Sequence, residues 1–163
     1  MFGFLKKKEP VQLNETLYAV AKGNLIPISE VKDPVFSQKM MGDGFAIIPE
    51  TGEIYSPIEG EVLSVFQTKH AVGMKMGNGL EILLHMGIDT AELNGEPFDI
   101  KVSEGSKVSR GTLIAKVDLE FITSAGKATD MVVVITNMDL VKSFNLTRTG
   151  PINVEDEVGV ATA

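Results

Sequence analysis

Short apolar runs, each closed within a few residues by glycine, proline or asparagine, follow one another from residue 17 to residue 135. Such punctuation leaves no window for a helix of ordinary length and favours strands joined by tight turns. The runs at 17–21, 24–28, 45–49, 53–55, 61–66, 70–76, 81–86, 112–117 and 131–135 read as strands. Between them stand Lys22-Gly23-Asn24, Thr51-Gly52, Ile58-Glu59-Gly60, Gly77-Asn78-Gly79 and Ser109-Arg110-Gly111. Of these, Gly77-Asn78-Gly79 is a hairpin signal, because both glycines and asparagine tolerate the positive φ of tight hairpin turns. Only 35–41, 119–125 and 139–144 read as helical, with one or two turns each. The expected fold is an all-β, antiparallel sandwich or barrel with a few short helical turns.

Two segments echo each other, Ser56-Pro57-Ile58-Glu59-Gly60-Glu61-Val62 and Val102-Ser103-Glu104-Gly105-Ser106-Lys107-Val108. Their shared turn-Gly-x-Val rhythm resembles the duplicated hybrid motif of biotinyl and lipoyl folds. Residues 1–16, with Phe2, Phe4 and Leu5 ahead of Lys6-Lys7-Lys8, read as a flexible tail, the alternative being a weak membrane-surface arm. Residues 17–163 read as one domain, long enough to bury a core.

The chain has no cysteine, which excludes disulfides and thiolate metal sites. No apolar run reaches the roughly 20 residues of a membrane-spanning helix, and no secretory signal is present, so a cytoplasmic protein is expected. The net charge is −7, and because residues 1–10 carry +2 the remainder carries −9. A body this acidic repels phosphate backbones, so no nucleic-acid binding is expected, and a basic protein partner suits it better.

Chemistry near neutral pH falls to the two histidines, His70 and His85. Folding the chain at Gly77-Asn78-Gly79 sets Val72 near Leu84 and brings His70 close to Met86, one step from His85. The alternation of the strand puts His85 on one face with Leu83 and Glu81. A neighbouring imidazole pair with hydroxyl, carboxylate and glycine residues around it points to nucleophilic or metal chemistry. A structural zinc needs four ligands and two are at hand, so no intrinsic metal site and no cofactor are expected.

The stretch Leu84-His85-Met86-Gly87-Ile88-Asp89-Thr90, followed by Glu92-Leu93-Asn94-Gly95, carries a family resemblance. It is joined by Thr68-Lys69-His70-Ala71, Gly42-Asp43-Gly44-Phe45-Ala46, Ser56-Pro57-Ile58-Glu59-Gly60 and Ile135-Thr136-Asn137-Met138-Asp139. Over residues 17–163 the chain resembles the glucose-type Enzyme IIA of the bacterial phosphoenolpyruvate-dependent sugar phosphotransferase system. The resemblance implies a phosphotransferase component. His85 would take a phosphoryl group on Nε2 from the histidine phosphocarrier protein and pass it to a cysteine of a IIB domain. His70 would steady that group, Thr68 would orient His70, and the Gly87 carbonyl would hold the Nδ1 proton of His85. The sugar itself is bound in the family by a membrane IIC domain, so peripheral membrane association is expected through that permease or through the tail.

The resemblance also implies a docking face of Val35, Phe36, Met40, Met41, Phe66 and Met86, rimmed by the acids Asp33 and Asp89. Asp89 has a second reading as the cap of the turn after the strand. Met86 and Val72 stand where relatives often have phenylalanine, an expected softening of that face. Two other functions compete. Met74-Lys75-Met76 matches the modified triplet of biotin carriers, although Gly105-Ser106-Lys107-Val108 follows it where a carrier's turn precedes it. A regulatory binding module is the other, in which a partner carboxylate completes a zinc site with His70 and His85.

Overall fold

The structure is a computed structural model, and it describes residues 14–163. Residues 1–13, most of the expected tail, lie outside the described residues. Strands run β1 Thr16–Tyr18, β2 Gly23–Pro27, β3 Gly44–Pro49, β4 Glu53–Tyr55, β5 Gly60–Val65, β6 Ala71–Met76 and β7 Glu81–Met86. They continue β8 Phe98–Ile100, β9 Lys107–Val108, β10 Leu113–Val117, β11 Met131–Ile135, β12 Ser143–Leu146, β13 Gly150–Ile152 and β14 Glu157–Thr162. Among the described residues the two α-helices are single short pieces, α1 Pro34–Ser37 and α2 Leu119–Ser124. Each opens on an aspartate that caps it, Asp33 accepting from the Val35 N–H and Asp118 from the Phe121 N–H. No helix among the described residues is long and apolar enough to cross a membrane.

Among the described residues eight strands form one antiparallel sheet in the order β9-β5-β6-β7-β11-β3-β2-β13, flanked by the three-stranded sheets β4-β10-β8 and β12-β14-β1. The expected all-β fold is what forms. The echoed segments meet directly, since Lys107 pairs with Glu61 and Val108 with Gly60. Gly77-Asn78-Gly79 turns β6 into β7, with Val72 opposite Leu84 and Ala71 opposite His85. The Asn78 side chain stitches that turn to the neighbouring sheet through the Ala161 carbonyl, 2.9 Å away.

One face of the large sheet packs into the main core with Phe45, Ile47, Met74, Leu84, Met86, Met131 and Val133. Its other face carries a smaller cluster of Ile28, Val31, Phe36, Ala46, Ile88, Val132 and Val134. β11 is apolar throughout because both faces are covered. Gly42 and Gly44 let the chain approach that strand, because a Cβ on either would lie 1.8 Å from the Ile135 or the Val133 carbonyl oxygen.

One helical reading differs from the structure, and strands form beyond residue 135 where none was read. Residues 139–144 are not helical: a 3-10 turn at Met138–Leu140 gives way to β12, whose Phe144 and Leu146 alternate inward with exposed Ser143 and Asn145. β14 holds a glycine that marks a bulge and not a turn; the register shifts between Glu157 and Gly159, and a Cβ there would meet the Asn145 carbonyl at 2.7 Å. β13 begins Gly150-Pro151 and survives only as the edge of the large sheet, where proline is tolerated.

Candidate functional site

His85 is the penultimate residue of β7, between Ala71 on β6 and Val132 on β11. Leu84 and Met86 on either side of it enter the main core, so the His85 side chain emerges above the smaller cluster. Its neighbour there is Phe36 of α1, whose ring meets the imidazole edge-on at a centroid distance of 5.1 Å.

Strict alternation would send His70, opposite Met86, to the other face. Instead its ring lies 4.8 Å from that of His85, the two planes at 78°. The extended run is interrupted immediately before it, at Lys69, whose φ of 62° lies in the left-handed region. The β5–β6 turn enforces this conformation through Lys69 N–H to the Phe66 carbonyl and Phe66 N–H to the Ala71 carbonyl. Phe66 then closes the far side of His70, edge-on at 5.5 Å.

The ring nitrogens are individually defined. His85 Nδ1 lies 2.7 Å from the Gly87 carbonyl oxygen. A carbonyl only accepts, so Nδ1 carries the proton and the neutral ring presents its lone pair at Nε2. His70 Nδ1 lies 2.6 Å from the Thr68 hydroxyl oxygen. When that hydroxyl donates, the remaining ring proton of His70 sits on Nε2. Both rings favour the neutral form. Burial holds the His70 pKa down at about 4, with the adjacent His85 as a second cause. Burial also lowers the His85 pKa, opposed by the Gly87 hydrogen bond and by the carboxylates of Asp33 and Asp89.

Thr68, His70, His85 and Gly87 therefore come together as the resemblance implied. The docking face does so in part. Val35, Met40 and Phe66 are exposed, Met41 is half-buried, and the carboxylates of Asp33 and Asp89 act electrostatically on the His85 ring. Asp89 makes no side-chain cap to the 3-10 turn it precedes, so its capping role is not realised. Two face residues are corrections. Met86 is wholly buried in the main core, because the residue after an outward His85 must point inward. Phe36 is also buried, spent on the smaller cluster and on the His85 ring. Val72 is likewise in the core, so neither it nor Met86 can soften a surface.

Sequence reasoning missed a groove of about 310 Å³ whose walls include Ser64, Phe66, Gly73, Leu83 and Thr136. The signal was present in the alternation that already grouped Leu83 with His85. No group of three or more histidine, cysteine or acidic side chains among the described residues is placed to hold a metal ion. Lys75 of the carrier-like triplet sits inside the ladder between Glu61 and Glu81, with Met74 and Met76 in the core, as plain strand alternation requires.

Residues 15–141 match the family model for the phosphoenolpyruvate-dependent sugar phosphotransferase system, EIIA 1. A glucose-specific EIIA component of Staphylococcus aureus strain Mu50 is 47% identical over 143 residues, covering 88% of this chain and 86% of its own length. A glucose-specific EIICBA component of Streptococcus pneumoniae is 49% identical over 146 residues, 90% of this chain but a fifth (20%) of that longer protein. The structure of glucose permease IIA from Mycoplasma capricolum superposes with a TM-score of 0.83 at 33% identity, covering 89% of this chain and 94% of its own. The chain thus belongs to the EIIA 1 family of the phosphoenolpyruvate-dependent sugar phosphotransferase system, and it is a phosphotransferase component of that system.

Proposed function

We propose that His85 is the phosphoryl acceptor and donor of this component, with Nε2 as the reacting atom. The observation that carries the reading is the 2.7 Å contact between His85 Nδ1 and the Gly87 carbonyl, beside a second imidazole at 4.8 Å. In the loading step the P–N bond on the histidine phosphocarrier protein breaks as a bond to His85 Nε2 forms. The electron pair returns to the carrier's imidazole, and the Nδ1 proton stays on His85. Phosphorylation at Nε2 gives the ring cationic character, which strengthens its hydrogen bond to Gly87. In the unloading step the thiolate of a IIB cysteine attacks phosphorus and His85 recovers its lone pair.

His70 acts on the phosphoryl oxygens. With Thr68 donating to Nδ1, His70 turns an Nε2–H toward the group and offsets charge as it develops, the main protein contribution to phosphoryl transfer. Asp33 and Asp89 lie close enough to influence His85. Against a dianionic phosphoryl group they oppose its retention, which suits a relay. Toward a basic carrier they attract, with exposed Val35, Met40 and Phe66 as the apolar contacts. Both partners use this one face in turn, in the cytoplasm, and the IIB partner brings the chain to the membrane. The names of the relatives point to glucose as the sugar served.

Mapping the phosphate tests the assignment. After incubation with phosphoenolpyruvate, Enzyme I and the phosphocarrier protein, alkaline peptide mapping is expected to find phosphate on the His85 peptide alone. Phosphate on the His70 peptide in the intact protein would reverse the two roles.

A further inference from the structure

The family signature does not stop at His85, and its second half, from Thr90 through Glu92-Leu93-Asn94-Gly95, has no part in the relay described so far. The backbone of this segment is unusual. Between Gly87 and Gly95 four residues hold positive φ: Gly87 at 85°, Asp89 at 58°, Asn94 at 54° and Gly95 at 82°. Non-glycine residues held in that region carry a conformational cost that the surroundings must sustain, and such sites cluster where function needs them.

Inside this segment Thr90 is completely buried, one of three polar residues in the described core. Its hydroxyl donates to the Met86 carbonyl at 2.6 Å. Its methyl faces Gly87 so closely that a Cβ there would sit 2.5 Å from it. The Met86–Gly87 peptide is therefore gripped at both ends, by Thr90 at its carbonyl and by the Asp130 carbonyl at the Gly87 N–H, 2.9 Å away. The next peptide is held by Ile88 N–H to the Ala128 carbonyl at 3.0 Å. With these peptides fixed, the Gly87 carbonyl has one direction, toward His85 Nδ1. The far end of the segment supports the other histidine, since Gly95 packs under the Lys69 stem and the Thr68 carbonyl.

We propose that Thr90 is a positioning residue for the phosphoryl relay: its hydroxyl and methyl set the Met86–Gly87 peptide so that the Gly87 carbonyl holds His85 in the tautomer with Nε2 free. Thr90 touches neither the phosphoryl group nor the partner. It acts on the reacting nitrogen through one peptide and one hydrogen bond, as supporting residues do around metal-bound histidines. The kinetic half rests on the reading of His85 as acceptor, whereas the tautomer half does not.

The test compares wild type, Thr90→Val and Thr90→Ser by ¹⁵N NMR of the histidine rings and by phosphorylation kinetics. Thr90→Val keeps the shape and removes the hydroxyl, whereas Thr90→Ser keeps the hydroxyl. In wild type the His85 Nδ1 resonance should be that of a protonated nitrogen and Nε2 that of a bare one. In Thr90→Val the two should move toward each other as the second tautomer fills. The apparent kcat for loading should fall roughly 10- to 100-fold with KM for the phosphocarrier unchanged, because misplacement and not docking is the defect. Thr90→Ser should restore both. Should the valine variant fail to fold, Thr90→Ala carries the same expectation with less bulk beside the Met86 carbonyl. A folded Thr90→Val or Thr90→Ala with unshifted His85 nitrogens would overturn the proposal. So would a rate loss confined to KM. If phosphate maps elsewhere than His85, the acceptor assignment falls, and the tautomer shifts still decide the role of Thr90.

Discussion

Lowering the pH should destabilise this protein through one ring in particular. His70 is held to a pKa of about 4 against an ordinary value of 6.5, chiefly because it is buried and secondly because His85 lies beside it. Above the ordinary histidine pKa the ring is neutral whether the chain is folded or not, and it contributes no pH dependence. As the pH falls through 6.5 the unfolded chain takes up a proton that the folded ring refuses, so stability is lost progressively until about pH 4. A shift of two and a half pH units at 1.36 kcal/mol per unit sets a ceiling of about 3 kcal/mol. Urea denaturation of wild type and His70→Gln across this range isolates the effect, because carboxylate titrations common to both cancel. Their stability difference should be flat above pH 7 and move against wild type by about 2–3 kcal/mol on reaching pH 4. Parallel curves across the range, or an NMR titration of His70 with a midpoint near 6.5, would refute the argument that packing keeps this ring neutral.

Other outcomes follow from the same geometry. Gly87→Ala places a Cβ 2.5 Å from the Thr90 methyl on a backbone at φ 85°, and it should cost about 1–3 kcal/mol in denaturant titration while slowing loading of His85. Phe36→Ala opens the small cluster under His85 and should cost about 3–5 kcal/mol. Met40→Ser, by contrast, should stay within about 0.5 kcal/mol of wild type and weaken phosphocarrier binding, measured by calorimetry. Because burial lowers the His85 pKa, the loading rate should hold as the pH falls past the ordinary histidine value, and stopped-flow rates across that range check it.

Most of the site was legible in the chain because local rules govern it. The Gly77-Asn78-Gly79 turn set the β6–β7 register, and the period of two put His85 on the face with Leu83. The same period, applied one residue further, sends Met86 inward, so its burial was legible and overlooked. The same turn brought His70 beside Met86, one step from His85, but not onto the His85 face: that depends on Lys69 leaving the extended region, and a lysine in sequence gives no sign of a left-handed φ. Phe36 was hidden for another reason: α1 is a single short helix, too brief for a hydrophobic period to reveal its buried side. The C-terminal strands, for which no signal was read, carry Gly150-Pro151 and Gly159, residues that usually interrupt strands. They are tolerated there only because the sheet supplies an edge for one and a bulge for the other.

The central claim is a division of labour between two imidazoles, and a two-stage transfer measurement addresses it most directly. Radiolabelled phosphoenolpyruvate, Enzyme I and the phosphocarrier protein load wild type, His85→Ala and His70→Ala, and a purified IIB domain is then added. The account predicts one acid-labile, base-stable phosphate on wild type, none on His85→Ala, and on His70→Ala a phosphate that is accepted but passes slowly to IIB. Label retained by His85→Ala, or forward transfer from His70→Ala at the wild-type rate, would contradict it.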